Sequence, residues 1–293
     1  MLISQSNIGR RTQALLVALA LGVPSAAAAQ GPGPVGPDPG KISLVGGFDV
    51  TNAYMFRGLR QDDTRVIMFP FVEASVDVHD DDDGLTDVAL LIGSWNSLHT
   101  GAAGATGPSG KLWYESRFYS GAAFTFGPGV KVAGTYTAYP SPNNSFTTVK
   151  ELGFRVSTEE FTPGGFVLPA HALVAFEMDT EPGIGQADGG ANGGTYFEAG
   201  IAPGIADPAF TVTFPIKVGL SLDDYYELGG VDHPFGFLSL GTVASVPIGR
   251  TTSYGAWNVH GGLEFQSLGD TPEAFNAGDQ SKLIGFVGVG FAY

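Results

Sequence analysis

The chain has 293 residues, of which 43% are hydrophobic and 15% are charged, and it contains no cysteine. Soluble domains carry about a quarter charged residues, so this composition does not suit a soluble protein, and disulfides and thiolate metal sites are excluded. The formal net charge of −15 argues against a nucleic-acid partner, because nucleic acids attract cationic surfaces.

Residues 1–29 have the features of an export signal. Arg10 and Arg11 form a basic start, an apolar stretch covers 14–23, and Ala27-x-Ala29 fits a signal-peptidase site. The apolar stretch is about ten residues long, which is too short to span a bilayer. We predict a signal peptide at 1–29, a Gly/Pro-rich periplasmic lead-in at 30–41 and one membrane domain at 42–293.

Strand-like segments then follow one another to the last residue. Most of them reach the roughly 9–11 residues that a tilted membrane strand needs. We predict twelve strands, an even number as in bacterial outer-membrane barrels, and ten remain if two weak segments fuse or drop out. The predicted strands are 42–58, 65–78, 85–97, 111–126, 130–139, 148–158, 169–179, 194–202, 209–221, 235–247, 252–268 and 282–293.

The side chains alternate between apolar and polar along most of these segments. In the first, Ile42, Leu44 and Phe48 share one face, whereas Ser43 and Asp49 share the other. A strand survives in lipid only if every backbone group is paired, which requires a closed sheet. The predicted fold is therefore an all-β, antiparallel transmembrane barrel of the bacterial outer membrane, in contact with the lipid bilayer and lipopolysaccharide. The segment 85–97 is apolar on both faces, so its orientation stays open.

The connections between strands alternate in length. Counted from a periplasmic N-terminus, the outer connections average about 11 residues and the inner ones about 6, as in outer-membrane barrels. This difference predicts that both termini are periplasmic. The long outer connections at 180–193 and 222–234 could also fold inward and plug the lumen.

The last strand ends on an aromatic residue. Val287, Val289, Phe291 and Tyr293 fall on one face. This pattern resembles the C-terminal recognition strand of outer-membrane proteins, although those usually end in Phe. The resemblance implies that the barrel-assembly machinery is a partner and reads the strand that ends at Tyr293.

The segment Tyr54-Met55-Phe56-Arg57-Gly58-Leu59-Arg60-Gln61 resembles the Y-x-F-R-G-x-S-Q signature of the TorF (Gcw_chp) family of proteobacterial outer-membrane proteins, with Arg60 in place of the usual small polar residue. The resemblance covers residues 42 to about 160 and implies an outer-membrane barrel with a porin role. We expect Tyr54 and Phe56 in the outer aromatic girdle and Arg57 pointing into the lumen. Arg57 is then either a pore-lining selector or, as we favour, a structural residue paired to a wall carboxylate.

By the same alternation, nine acids and five bases face the lumen. They form either a salt-bridged, plugged interior or a water-filled channel whose excess of acids favours cations. The candidate pore-lining residues are Arg57, Glu115, Arg117, Glu151, Arg155, Glu177, Lys217 and Glu264; the remaining inward charges are Asp49, Glu73, Asp77, Asp179, Glu198 and Lys131.

The outer connections carry eleven acids and one base, which predicts an acidic rim at Asp223, Asp224, Glu227 and Asp232. This rim is compatible with weak divalent binding or with simple solubility. The acidic run at 79–84 lacks the ligand spacing of an EF-hand. We therefore predict no metal site and no cofactor.

No catalytic motif stands out. There is no G-x-S-x-G segment, and no serine is placed by sequence beside the inward-facing His171 or His260. The predicted function is passive diffusion of small hydrophilic solutes with a mild preference for cations, without enzymatic activity. The alternatives are a plugged structural or adhesive barrel, and an outer-membrane lipid hydrolase that uses His260 or His171.

Overall fold

The computed structural model describes residues 41–81, 83–101, 112–127, 129–158, 166–178, 193–252 and 255–293. The predicted signal peptide, nearly all of the lead-in and the predicted lumen acid Asp179 lie outside these residues. Within them, no helix is long and apolar enough to cross a membrane.

The described chain forms nineteen strands and a short helix. In chain order they are β1 (Ile42–Thr51), β2 (Tyr54–Phe56), β3 (Leu59–Asp62), β4 (Ile67–Asp80), β5 (Leu85–His99), β6 (Trp113–Phe126), β7 (Val130–Tyr139), β8 (Val149–Thr158), β9 (Phe166–Val167), β10 (Ala170–Glu177), β11 (Thr195–Ile201), β12 (Gly204–Asp207), β13 (Phe210–Thr213), β14 (Ile216–Asp223), β15 (Glu227–Leu228), β16 (Val231–Asp232), β17 (Phe235–Thr252), β18 (Gly255–Leu268), α1 (Asp270–Phe275) and β19 (Ser281–Ala292).

These strands build a closed antiparallel barrel with twelve wall positions. Neighbouring strands pair in chain order, and β1 pairs with β19 to close the ring. Three wall positions consist of two consecutive pieces each, namely β9 with β10, β11 with β12, and β13 with β14. The prediction of a twelve-stranded outer-membrane barrel is confirmed.

The side chains alternate as predicted, with apolar ones on the outer face and polar ones on the inner face. Several apolar side chains on the outer face expose more than half of their surface, as expected for residues that contact lipid in the membrane. They include Ile92, Phe118, Leu263 and Val287. The inner face carries the buried polar side chains. The structure also settles β5, whose Leu91, Trp95, Ser97 and His99 point inward.

One prediction about the first strand is wrong. β1 ends at Thr51 rather than at residue 58, and the chain then turns into the barrel. Tyr54 and Phe56, which we expected in the outer aromatic girdle, are 0% and 3% exposed and lie inside the lumen. Alternation along a strand cannot reveal this turn, because residues 52–58 keep the apolar pattern while they pack against the inner wall.

The seam between β1 and β19 offers a test of closure. Leu44 and Tyr293 exchange two backbone hydrogen bonds of 2.8 and 2.7 Å, so the adjacent pair Val45 and Ala292 is a non-hydrogen-bonded pair, with Cα atoms about 4.5 Å apart. We expect Val45→Cys with Ala292→Cys to form a disulfide that alters migration on a denaturing gel. Thr51→Cys with Ala292→Cys is the control, because its cysteines lie six residues out of register and should not cross-link. A cross-link in the control alone would contradict this register.

Candidate functional site in the barrel lumen

The chain that leaves β1 forms a hairpin inside the barrel. β2 and β3 pair with each other and are joined at Arg57 and Gly58, both with positive φ (+49° and +83°). Two such residues in succession suit the tight turn that best matches the twist of a hairpin. Arg57 adopts this conformation at an energetic cost, which the contacts of its side chain offset.

Arg57 ties the tip of this hairpin to the far wall. Its guanidinium donates to both carboxylate oxygens of Glu151 on β8, at 2.6 and 3.0 Å, and to the Tyr225 hydroxyl at 3.0 Å. The guanidinium also lies 4.0 Å from the centre of the Tyr196 ring. Since β8 is five wall positions away from β1, the hairpin crosses most of the barrel. Arg57 is therefore a structural residue paired to a wall carboxylate, the alternative that we favoured.

The loop after β14 reaches the same place. Tyr225 and Tyr226 are 1% and 0% exposed. The Tyr226 hydroxyl donates to the backbone carbonyl of Arg57 at 2.8 Å. We call the hairpin 52–62 together with Tyr225 and Tyr226 the lumen plug. An inward fold of the loop 222–234 was one of the alternatives that the sequence left open.

A second buried network holds the base of the plug. Arg117 on β6 donates to Glu115 and to the Tyr54 hydroxyl, and Tyr54 donates to Glu115 at 2.7 Å. The Arg117 guanidinium also lies 4.4 Å from the centre of the Trp95 ring. Two of the predicted pore-lining charges, Glu115 and Arg117, thus neutralise each other beneath the hairpin.

A third contact brings together a serine, a histidine and an aspartate, the residue types of a catalytic triad. Ser97 Oγ and His99 Nε2 are hydrogen-bonded, and His99 Nδ1 lies 3.2 Å from Asp62 Oδ2. However, Ser97 is 0% exposed, and the His99 ring is stacked on Tyr114 with their centres 4.4 Å apart. A nucleophile must reach its substrate, so this arrangement acts as a clamp between the plug and β5.

A further network of charged residues lies at the end of the barrel where β1 ends at Thr51. We call this end the outer mouth, because the sequence predicts a periplasmic N-terminus. Arg60 donates to Asp279 at 2.6 Å, and both Arg60 and Lys282 donate to Asp63. The hydrogen bond from Lys282 holds the pKa of the Asp63 carboxyl below its usual range. The Asn276 amide donates to the Gly58 carbonyl at 2.8 Å and so ties the hairpin to the segment after α1.

The plug divides the lumen into two halves, and we call the half at which β1 ends at Thr51 the outer half. There most inner-face side chains of the described wall are buried. The side chains concerned include Thr51, Trp95, Ser97, His99, Glu115, Arg117, Thr137, Tyr139, Val149, Glu151, Glu177, Tyr196, Ser221, Phe237, Glu264 and Gln266.

The other half, which the sequence predicts to be periplasmic, is different on the side formed by β4 to β14. Its inner face carries polar side chains that are partly exposed, namely Ser75, Asp77, Thr125, Lys131, Arg155, Ser157, His171 and Lys217. Glu198 accepts hydrogen bonds from Tyr196 at 2.8 Å and from His171 at 3.0 Å, and it lies 3.8 Å from Lys217. We call this region the vestibule.

Two further predicted residues have local partners. Glu264 accepts hydrogen bonds from Ser239 and Gln266 at 2.5 and 2.9 Å. Glu177 accepts the Gly194 backbone N–H at 2.9 Å. Of the two histidines considered for hydrolysis, His171 contacts Glu198, and His260 contacts Asp49 at 2.7 Å. Neither has a serine or threonine among its hydrogen-bond partners in the described part of the chain.

The sequence missed the wall residues that hold the plug. His99 on β5, Tyr139 on β7 and Tyr196 on β11 come from separate strands and are linked only because the hairpin folds between them. One local signal was present, since Gly58 readily adopts the positive φ that a tight hairpin turn requires. The four residues of the predicted acidic rim differ in exposure. Asp223 is exposed, Asp224 and Asp232 are partly exposed, and Glu227 is buried.

No protein-family model and no curated protein matches the chain. Solved structures of similar fold include the COG4313 outer membrane channel from Pseudomonas putida F1, at 10% identity over 87% of this chain and 96% of that chain, with a TM-score of 0.50. The translocator domain of the autotransporter NalP from Neisseria meningitidis has 13% identity over 86% and 88%, with a TM-score of 0.43. The NanC porin has 10% identity over 85% and 98%, with a TM-score of 0.43. The chain has the closed antiparallel β-barrel fold that bacterial outer-membrane proteins share.

The two arginines of the hairpin make a matched test of the plug's anchors. Arg57→Ala leaves Glu151 buried without its cation, and we expect it to lower the free energy of unfolding by about 3–5 kcal/mol. Arg60→Ala removes an ion pair at the exposed mouth and should cost less than about 1 kcal/mol. Urea unfolding in lipid vesicles measures both variants. Equal losses would mean that the Arg57 pair is not the principal anchor.

Proposed function

We propose that this barrel is an outer-membrane channel for small hydrophilic solutes, which the lumen plug closes at its outer half. The observation that carries the proposal is the change in the inner face along the barrel axis. The vestibule is polar and partly exposed, whereas every inner-face side chain named above in the outer half is buried. Twelve strands also enclose more space than the eight that side chains can just fill.

The way in which the plug is held supports an opening movement. In the described chain, β2 pairs only with β3, and β15 pairs only with β16. No backbone ladder therefore joins either hairpin to the wall. Apart from the bond from the Asn52 N–H to the Gly285 carbonyl where the hairpin begins, side-chain contacts hold the plug among the described residues, so it can leave the lumen while the barrel keeps its strand-to-strand ladder.

The finer family assignment is also a proposal. The segment Tyr54–Gln61, on which the resemblance to the TorF (Gcw_chp) family rests, forms the plug hairpin. A signature at this place is consistent with a shared way of closing the lumen. We propose that the chain is related to that family through this hairpin.

A mild preference for cations is part of the proposal. Asp223, Asp270 and Asp279 are exposed at the outer mouth, where they raise the local concentration of cations. The vestibule opposes this effect, because it contains three bases, Lys131, Arg155 and Lys217, and two acids, Asp77 and Glu198. Ions that enter from outside meet the acidic mouth first.

A permanently closed structural barrel is the second candidate. The observation that favours it is the number of contacts that lock the plug, above all the bidentate pair between Arg57 and Glu151. Removing one partner of such a pair is strongly destabilising. Opening without a trigger would therefore be rare.

Single-channel recording in planar bilayers separates the two candidates. We expect low conductance with brief openings from the native protein. Replacing residues 54–62 by a Gly/Ser linker of equal length should raise the conductance severalfold, because it empties the outer half. The control replaces the exposed turn 207–210, which lies at the other end of the barrel from the plug. If the linker variant conducts no better than the control, the plug does not close a path and the structural barrel is favoured.

The linker variant also tests selectivity. Under a KCl gradient we expect a reversal potential that favours K⁺ and declines as salt rises, because exposed charges are screened over roughly 10 Å at 0.1 M salt. Asp223→Asn with Asp224→Asn should reduce it further, whereas Lys217→Gln should increase it. Preference for Cl⁻ would show that the vestibule bases outweigh the mouth.

We propose that the barrel has no hydrolytic activity. Purified protein incubated with phospholipid and with lipopolysaccharide should release no acyl chains above a detergent blank, because Ser97 is sealed under the plug. Ser97→Ala and His260→Ala should give the same blank. Acyl release that either substitution abolishes would instead support the lipid hydrolase.

A further inference from the structure

The loop that supplies Tyr225 and Tyr226 continues into a short hairpin at the outer mouth. β15 and β16 are joined by Gly229 and Gly230, with φ of +61° and +78°. This pair of positive angles makes the tight turn that places the two short strands side by side. Glu227 and Asp232 are directly opposite each other across this hairpin.

Two like charges in this position repel each other. Residues directly opposite in an antiparallel pair lie on one face with Cβ atoms about 4.5–5.5 Å apart, and like charges there are destabilising. No salt bridge in the described chain includes either carboxylate. The opposite face carries Leu228 and Val231, both of which are exposed.

One oxygen of each carboxylate is also buried without a donor among the described residues. Glu227 is 8% exposed, and its Oε2 atom is buried with no hydrogen-bond partner among the described residues. The same holds for Oδ1 of Asp232. The Glu227 carboxylate folds back over the turn, since a Cβ atom at Gly230 would lie 3.8 Å from its Oε1. Burying a charged oxygen without a partner costs free energy. A cation bound on this face of the hairpin would offset that cost.

We propose that Glu227 and Asp232 bind a calcium ion at the outer mouth. Calcium takes six to eight oxygen ligands in flexible geometry, whereas magnesium demands a near-ideal octahedron and keeps its waters. Two carboxylates supply up to four oxygens, and loop carbonyls and water can complete the shell. The described chain has no group of three or more acidic, histidine or cysteine ligands, so we expect an affinity of about 10⁻⁴–10⁻³ M, as in extracellular calcium modules.

The site would act on the plug through the adjoining residue. Tyr226 immediately precedes Glu227, and its hydroxyl donates to the Arg57 carbonyl. The Tyr226 carbonyl in turn accepts the Thr271 hydroxyl at 2.9 Å and the His233 N–H at 3.0 Å. An ion that fixes the β15–β16 hairpin therefore also fixes the residue that holds the plug tip.

Isothermal titration of the full chain in detergent with CaCl₂, after treatment with EDTA, tests the proposal without requiring an open channel. We expect binding in the range given above, and binding at least about tenfold weaker in Glu227→Gln and in Asp232→Asn, since disturbing the ligand set of a metal typically costs that much affinity. Asp223→Asn is the matched control, because Asp223 is an exposed acid of the same loop. It contributes only attraction that salt screens, so its affinity should fall far less than that of either ligand variant. MgCl₂ should bind more weakly than CaCl₂.

Thermal unfolding with and without CaCl₂ guards against a misfolded variant. A ligand that binds only the folded state raises its stability, so calcium should raise the Tm of the native protein and of Asp223→Asn but leave that of Glu227→Gln unchanged. Calcium affinity that survives in both Glu227→Gln and Asp232→Asn would overturn the proposal. An equal loss in all three variants would do so as well, since it would indicate diffuse attraction to the rim.

Discussion

The ion pair between Arg57 and Glu151 determines how the lumen is organised. A guanidinium in the middle of a barrel needs a carboxylate, because an unpaired charge there costs several kcal/mol. Glu151 supplies it from the far wall, with both oxygens engaged. The Arg57 backbone can then keep its strained conformation, and the hairpin that carries it must stay across the barrel. The tyrosines around the guanidinium complete an environment in which neither charge meets water.

This arrangement changes what the wall charges can do. Glu115 and Arg117 are neutralised under the plug, as Glu151 is by Arg57. The charges left for a solute to meet are those of the vestibule and of the mouth. A count of nine inward acids against five bases therefore does not describe the field along the path. Both the sign of that field and its position depend on which residues the plug covers.

The wall and the plug are different kinds of structure. The wall is a continuous backbone ladder whose hydrogen bonds must all be satisfied in lipid. The plug is attached through side chains and through the chain segments that enter and leave it. The similarity at 10% identity to a solved outer-membrane channel concerns the barrel fold. Function in such folds resides in the groups placed upon them, which here are the hairpin 52–62 and the loop with Tyr225 and Tyr226.

The sequence by itself determined the barrel. Alternation with period two, twelve segments of sufficient length and unequal connections give the strands and their faces, because each wall strand contacts lipid on one side along its whole length. The sequence also predicted that Arg57 faces the lumen, and pairing to a wall carboxylate was the favoured of the two alternatives for it.

Only the tertiary structure decided what fills the lumen. Tyr54 and Phe56 continue the alternation of β1, and a residue that packs against the inner wall is as apolar as one that faces lipid. Ser97, His99 and Asp62, or Glu227 and its unpartnered oxygen, depend on where the hairpins fold in space. No local pattern encodes the contact of Asp62 with His99, because the two residues lie far apart along the chain and meet only when the hairpin packs against β5.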